Sequence, residues 1–267
     1  MKKRAKQKHI ISNINTFDEE ASIYKLLFQD RAIALLKNVI DKISIDRYEH
    51  VNFKLPSILI VGKEGKQLIS RAFSNSMCNT FEIVLGKHLG MGGYSGSVYK
   101  NIETEIIYYI SSAEKLNAYS VSLLHKLLTQ GYFKFRNHME DEDTTVSTDN
   151  KLFIFGVNDP KKLSPDLYKA IDYHCCLRNY NTLEMEILVE QRLRWCSIDF
   201  DKQVPAIIVH NGAGSISNCM RLLSVCFLIM RGNNEMRLTV KDIEIGIALN
   251  RPIEGLSPSP VDNDMPI

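Results

Sequence analysis

Residues 62–67 read "GKEGKQ", directly after an apolar run at 58–61 and directly before a stretch that looks helical. Strand, glycine turn, lysine and helix are the parts of a phosphate-binding loop. Such a loop surrounds phosphate oxygens with backbone N–H groups and adds a lysine ammonium. A following Ser or Thr hydroxyl then holds Mg²⁺. The candidate nucleotide contacts are therefore Gly62, Gly65, Lys66 and Gln67. The spacing departs from G-x-x-x-x-G-K-[ST], and Gln67 offers a carboxamide where the metal needs a hydroxyl. With the spacing lost, an ordinary exposed loop lysine is the competing reading of Lys66.

A second group with possible chemistry is His174, Cys175 and Cys176. On a strand, neighbouring side chains point to opposite faces, so the two thiols do not share one ion. Core packing is the reading favoured for them, and no metal site is expected. The glycine-rich segment "GMGGYSG" (90–96) does not open a helix in G-x-G-x-x-G register. It reads as a plain loop, with a ligand cleft as the alternative.

These residues need elements to hold them. The chain has 267 residues, 45% of them apolar and 24% charged, which suits one or two globular domains. The longest apolar runs, such as 222–230, are too short to cross a bilayer. The amino terminus is basic but has no apolar signal core. The six cysteines lack C-x-x-C spacing. A cytoplasmic protein with reduced thiols is expected.

Lys2, Lys3, Arg4, Lys6 and Lys8 crowd the amino terminus; without these five cations the net charge of +2 becomes −3. The body therefore offers no basic nucleic-acid surface, and attraction to DNA is left to the tail or to partners. Residues 1–15 read as an unordered basic tail.

Ala32, Leu35, Leu36, Val39, Ile40 and Ile43 recur at helical spacing and make one apolar face. Continuous apolar runs at 58–61, 80–86, 105–110, 152–157 and 173–178 read as five buried strands. Between them lie helices, one of them ending at Gly131. This pattern predicts an α/β fold with a mostly parallel sheet covered on both faces. Residues 132–150 read as a hairpin with an acidic turn at 140–143.

The character changes after Tyr180. Asn181 and Glu184 can form a capping pair, and further helical stretches follow. The expected organisation is an α/β domain at 16–180, a small helical lid domain at 181–251, and an unordered tail at 252–267.

A phosphate-loop α/β domain followed by a helical lid resembles the AAA+ plan, and within it the RuvB branch-migration motors. The resemblance is dispersed and co-linear from about Phe28 to Leu256. "LFQDRAIALLKNVID" resembles that family's "IGQ" segment and helix, and "LPSILIVG" is similar to "LDHVLLYG". "SSAEKLN" stands where the family has "DEIHRLN", and "GAGSISNCMRLL" resembles "SRGTPRIANRLL". "LFIFGVNDPKKLSPDL" resembles the region running into the paired arginines of "LRDRF".

The resemblance implies an ATPase site, and the residues depart from it. The loop is two residues shorter than "GPPGLGKT". Ser111 and Ser112 stand where the family carries the Walker B acids. Tyr168 and Ala170 replace the two finger arginines, with Lys169 between them. Ser217 replaces the lid arginine, and Arg221 matches a later arginine read as packing or surface.

Asn158, at the sensor-1 position, is the polar residue retained. A catalytically degenerate module is expected, a binding or structural subunit with no cofactor or weakly bound ATP/ADP. The alternatives are a divergent active motor, with Glu114 recruited alongside Lys66 and Asn158, and a nucleotide sensor without hydrolysis. The resemblance also implies protein partners, reached in part through hairpin 132–150. The family's winged-helix DNA-binding domain would begin after about Leu256, so its absence is expected.

Overall fold

The computed structural model describes residues 21–49, 54–89, 97–99, 103–137 and 142–250. The basic tail, the glycine-rich segment 90–96, positions 138–141 of the hairpin and the tail at 252–267 lie outside the described residues. The chain divides into two compact units, the first ending at Asn179 and the second beginning at Tyr180.

The first unit is built on five strands: β1 (Ser57–Val61), β2 (Thr80–Leu85), β3 (Ile106–Ser111), β6 (Lys151–Val157) and β7 (Tyr173–Cys176). They pair in the order β2-β3-β6-β1-β7, and every pair is parallel. Helices α1 (Asp30–Tyr48), α2 (Lys66–Ser76), α3 (Ala118–Gln130) and α4 (Pro165–Ala170) accompany the sheet.

Period-2 alternation sorts the strand residues into two cores. Tyr108, Ile110, Phe153 and Phe155 pack with Leu124, Leu127 and Leu167 from α3 and α4. Ile107, Tyr109, Leu152 and Ile154 pack with Leu36, Val39 and Phe73 from α1 and α2. Burial on both faces explains why these strands read as continuous apolar runs. The expected apolar face of α1 is buried, with Leu35 at its margin.

β4 (Tyr132–Asn137) and β5 (Glu142–Ser147) form the expected hairpin as an antiparallel pair. The acidic turn is shorter than the sequence suggested. Glu142 and Asp143 belong to β5 and pair with Asn137 and Arg136. Gly131 ends α3 in a left-handed conformation, φ 79°, as a terminal glycine does.

Lys151 sits at the hairpin's root and is fully buried. Its amine donates to Val98 O at 3.1 Å and to Ser147 O at 3.0 Å. Burial pulls its pKa down to about 8, and the Asp149 carboxylate partly offsets this.

The second unit contains α5 (Thr182–Trp195), α6 (Val204–Asn211), α7 (Ile216–Gly232) and α8 (Val240–Asn250). Asn181 and Glu184 do form a capping box at the start of α5. The unit is not wholly helical: β8 (Asp199–Phe200) and β9 (Arg237–Leu238) make a short parallel pair. Its core includes Val189, Leu193, Ile208, Leu222, Cys226 and Ile243. No helix among the described residues is long and apolar enough to cross a membrane.

Candidate phosphate-binding site

Register places the loop. Val61 pairs with Val157, and Gly156 pairs with Ser111, so β1, β6 and β3 end side by side. In open parallel sheets the crevice at these carboxyl ends is where ligands bind. Three of the connecting segments meet here: the loop 62–65, Asn158, and the turn after Ser111.

Gly62 continues the sheet, its N–H donating to Val157 O at 3.0 Å. A Cβ there would lie 2.9 Å from Leu177 Cβ, so the position has room only for glycine. Gly65 precedes α2 at φ 79°, a left-handed conformation that favours glycine. No side chain caps the first turn of α2. These two glycines let the chain leave the strand and enter the helix within four residues.

Lys66 opens α2 and is not a free loop lysine. Its amine donates to Asn158 Oδ1 at 2.7 Å and to Lys63 O at 3.1 Å, and it also bonds Gly62 O. An ammonium has three protons to donate, and here all three are used. Burial lowers the Lys66 pKa, while the Glu114 and Glu64 carboxylates push it back up. Gln67 is exposed. The structure thus brings Gly62, Gly65, Lys66 and Asn158 together and leaves Gln67 turned to solvent.

Ser111 ends β3, and Ser112 follows in a left-handed conformation at φ 52°. Gly86 packs against this turn; a Cβ on it would stand 2.6 Å from Ser112 O. The turn leads into the 3-10 segment Ala113–Lys115, which carries Glu114. Glu114 Oε2 is shut off from solvent, and no donor among the described residues reaches it. Burial chiefly, and the same carboxylate in second place, push the Tyr109 pKa up to about 12. Tyr109 in turn fills the space over Gly156, where a Cβ would meet its hydroxyl at 2.4 Å.

A cavity of about 650 Å³ lies along the start of α1 and strand β7, lined by Gln29, Arg31, His174, Cys176, Leu177 and Arg178 among others. Leu177 is the residue that contacts Gly62, so cavity and loop adjoin. The Gln29 carboxamide donates to Arg178 O at 2.9 Å and accepts from Arg178 N at 3.1 Å. It thus pairs with the backbone of Arg178, two residues past the end of β7, much as a neighbouring strand would. Along β7, Cys175 is buried and Cys176 exposed, the alternation a strand imposes.

The remaining positions of interest are dispersed. Tyr168 lies on α4, 38% exposed, with its ring 4.4 Å from that of His174. Ser217 and Arg221 lie on α7 of the second unit. Sequence reasoning did not find the cavity. Nor did it find the buried oxygen of Glu114, whose one signal was a carboxylate two residues past a pair of serines.

A parallel five-stranded sheet in this order, with the loop at the end of β1 and helices after it, is the α/β fold of AAA+ proteins. The solved structures most like it include those of RuvB from Thermotoga maritima. A point mutant of that protein gives a TM-score of 0.69 at 13% identity, covering 88% of this chain and 75% of that one. The RuvB Holliday junction branch migration motor gives 0.67 at 13% identity, covering 91% and 76%. Likeness at this identity establishes the fold. No protein-family model and no curated protein sequence matches the chain.

Proposed function

We propose that this chain is a non-hydrolysing AAA+-fold module that acts as a binding or structural subunit. In this reading residues 16–180 are the α/β domain and 181–251 the lid. The observation that carries it is the closed state of Lys66. Any phosphate must displace Asn158 or a loop carbonyl before it can reach the amine.

The chemistry around the lysine supports the same reading. Ser111 and Ser112 carry neutral hydroxyls where a working site has acids, so neither supplies the carboxylate that activates water or offsets the metal's charge. Tyr168 and Ala170 give a neighbouring site no guanidinium, and an arginine finger alone is worth about 10³–10⁵ in rate. Such losses are not additive, yet each removes a different part of the machinery.

The fold shared with a branch-migration motor supports a place in DNA recombination or repair machinery. Partners would be other protein subunits, met in part through hairpin 132–150, with DNA reached through the basic tail or through those subunits. The test is Mg²⁺-dependent ATP turnover of the purified protein. None above background is expected, and turnover that disappears in Lys66→Ala overturns the proposal.

A second reading, a nucleotide sensor without hydrolysis, draws on one specific observation. The uncapped first turn of α2 and the adjoining cavity could still take weakly bound ATP or ADP.

A further inference from the structure

We propose that Glu114 acts as a built-in competitor of phosphate, a positioning residue that keeps the loop lysine closed. The inference rests on the reading of the loop as a degenerate nucleotide site.

The argument begins with the strand ends. Ser111 lies beside Gly156, two residues before Asn158, and Asn158 holds the Lys66 amine. The turn after Ser111 therefore opens next to the lysine. It is sharply bent, with Ser112 left-handed and Gly86 pressed against its carbonyl oxygens. That bend leads the chain into Ala113–Lys115, a single 3-10 turn that carries a carboxylate where the strand end itself has only hydroxyls.

A carboxylate oxygen removed from water and given no donor is an expensive arrangement. It is tolerated when a nearby cation offsets the charge. Burial is the largest influence on the Lys66 amine and disfavours its charge, and of the two carboxylates that oppose this Glu114 acts more strongly than Glu64. Glu114 also bears on Tyr109, whose phenol the same negative charge helps to keep protonated. The carboxylate thus lies in the field of Lys66 without bonding to it.

Two consequences follow. The negative charge of Glu114 favours the ammonium form, which keeps all three donors on Asn158 and the loop carbonyls. The same charge repels a phosphate approaching α2, and with its Oε2 shut off from solvent it is poorly screened. The acid of a working site would recruit Mg²⁺ and so help nucleotide to bind. This one has no second carboxylate beside it, since Ser111, Ser112 and Gln67 offer only neutral oxygens, so its charge is not taken up by a metal held between paired acids.

The test is calorimetric titration of the full chain with Mg-ATP, and separately with pyrophosphate, in wild type, Glu114→Gln and Glu114→Ala. Unliganded melting points report whether each variant is folded, and the near-isosteric amide keeps the test usable if the alanine variant fails. Wild type is expected to show no binding at millimolar ligand. Glu114→Gln is expected to bind both ligands at least about tenfold more tightly, bringing Kd below about 1 mM. A folded Glu114→Gln that still binds neither ligand overturns the inference and leaves the non-hydrolysing reading standing. Wild type that binds nucleotide, with binding lost in Glu114→Gln, overturns the inference, makes Glu114 a residue that supports the bound ligand, and favours the nucleotide-sensor reading.

Discussion

Asn158 accepts a hydrogen bond of 2.7 Å from the Lys66 amine, joining residues 92 apart in the chain across the ends of β1 and β6. The bond needs both strands in register, because Asn158 follows Val157, the partner of Val61. The lysine is therefore held by the sheet as well as by its own loop.

Asn158→Ala should lower the unfolding free energy by about 1 kcal/mol, toward the low end for a bond to a charged donor because Lys66 is only half-buried. Denaturant titration with an unchanged m-value checks this. A loss near zero would mean that water replaces the carboxamide without cost.

Lys151 should give stability a distinctive pH dependence. Its amine has a pKa of about 8 when folded, against 10.5 for an unperturbed lysine. Between those values the unfolded chain binds more protons than the folded one, so this residue's contribution to stability rises with pH. It is fully present above 10.5 and is lost as pH falls through about 8. The buried Cys175 and Cys226 thiols, pushed up to about 12 by burial, act the other way above pH 9. The difference between wild type and Lys151→Met isolates the lysine. Wild type should gain on the variant from pH 8 to 10.5, and a flat difference would contradict the assignment.

Gly246→Ala should destabilise the second unit by about 1–3 kcal/mol through overpacking. The new Cβ would stand 2.6 Å from Cys226 Sγ, while the next nearest atom is 3.6 Å away. Cys226→Ala in the same chain should recover much of the loss. A double-mutant cycle by thermal unfolding would show coupling of about 1 kcal/mol or more, and simple additivity would place the strain elsewhere.

Much of the architecture was legible because burial on both faces writes itself as unbroken apolar runs. Residues 152–157 could hardly be anything but a central strand, and Gly131 marked the end of a helix through its left-handed backbone. The β8–β9 pair was not legible, since two residues a side give no period to read. The acidic turn was placed too broadly because Glu142 and Asp143 are paired through their backbones, and pairing does not depend on charge. At the site, Gly62, Gly65 and Lys66 stood out by local spacing. Asn158 emerged only through the resemblance, since its tie to Lys66 is long-range. Glu114 acquires its place from the bend at Ser112, which the sequence does not announce.

The central claim is that the loop has closed on itself and no longer serves nucleotide. It is tested most directly by thermal unfolding of the full chain with and without Mg-ATP and Mg-ADP. A ligand that binds only the folded state adds about 2.7 kcal/mol of stability at a hundredfold excess over Kd, which raises the midpoint. The account predicts an unchanged midpoint at millimolar nucleotide. A clear upward shift that vanishes in Lys66→Ala would contradict it.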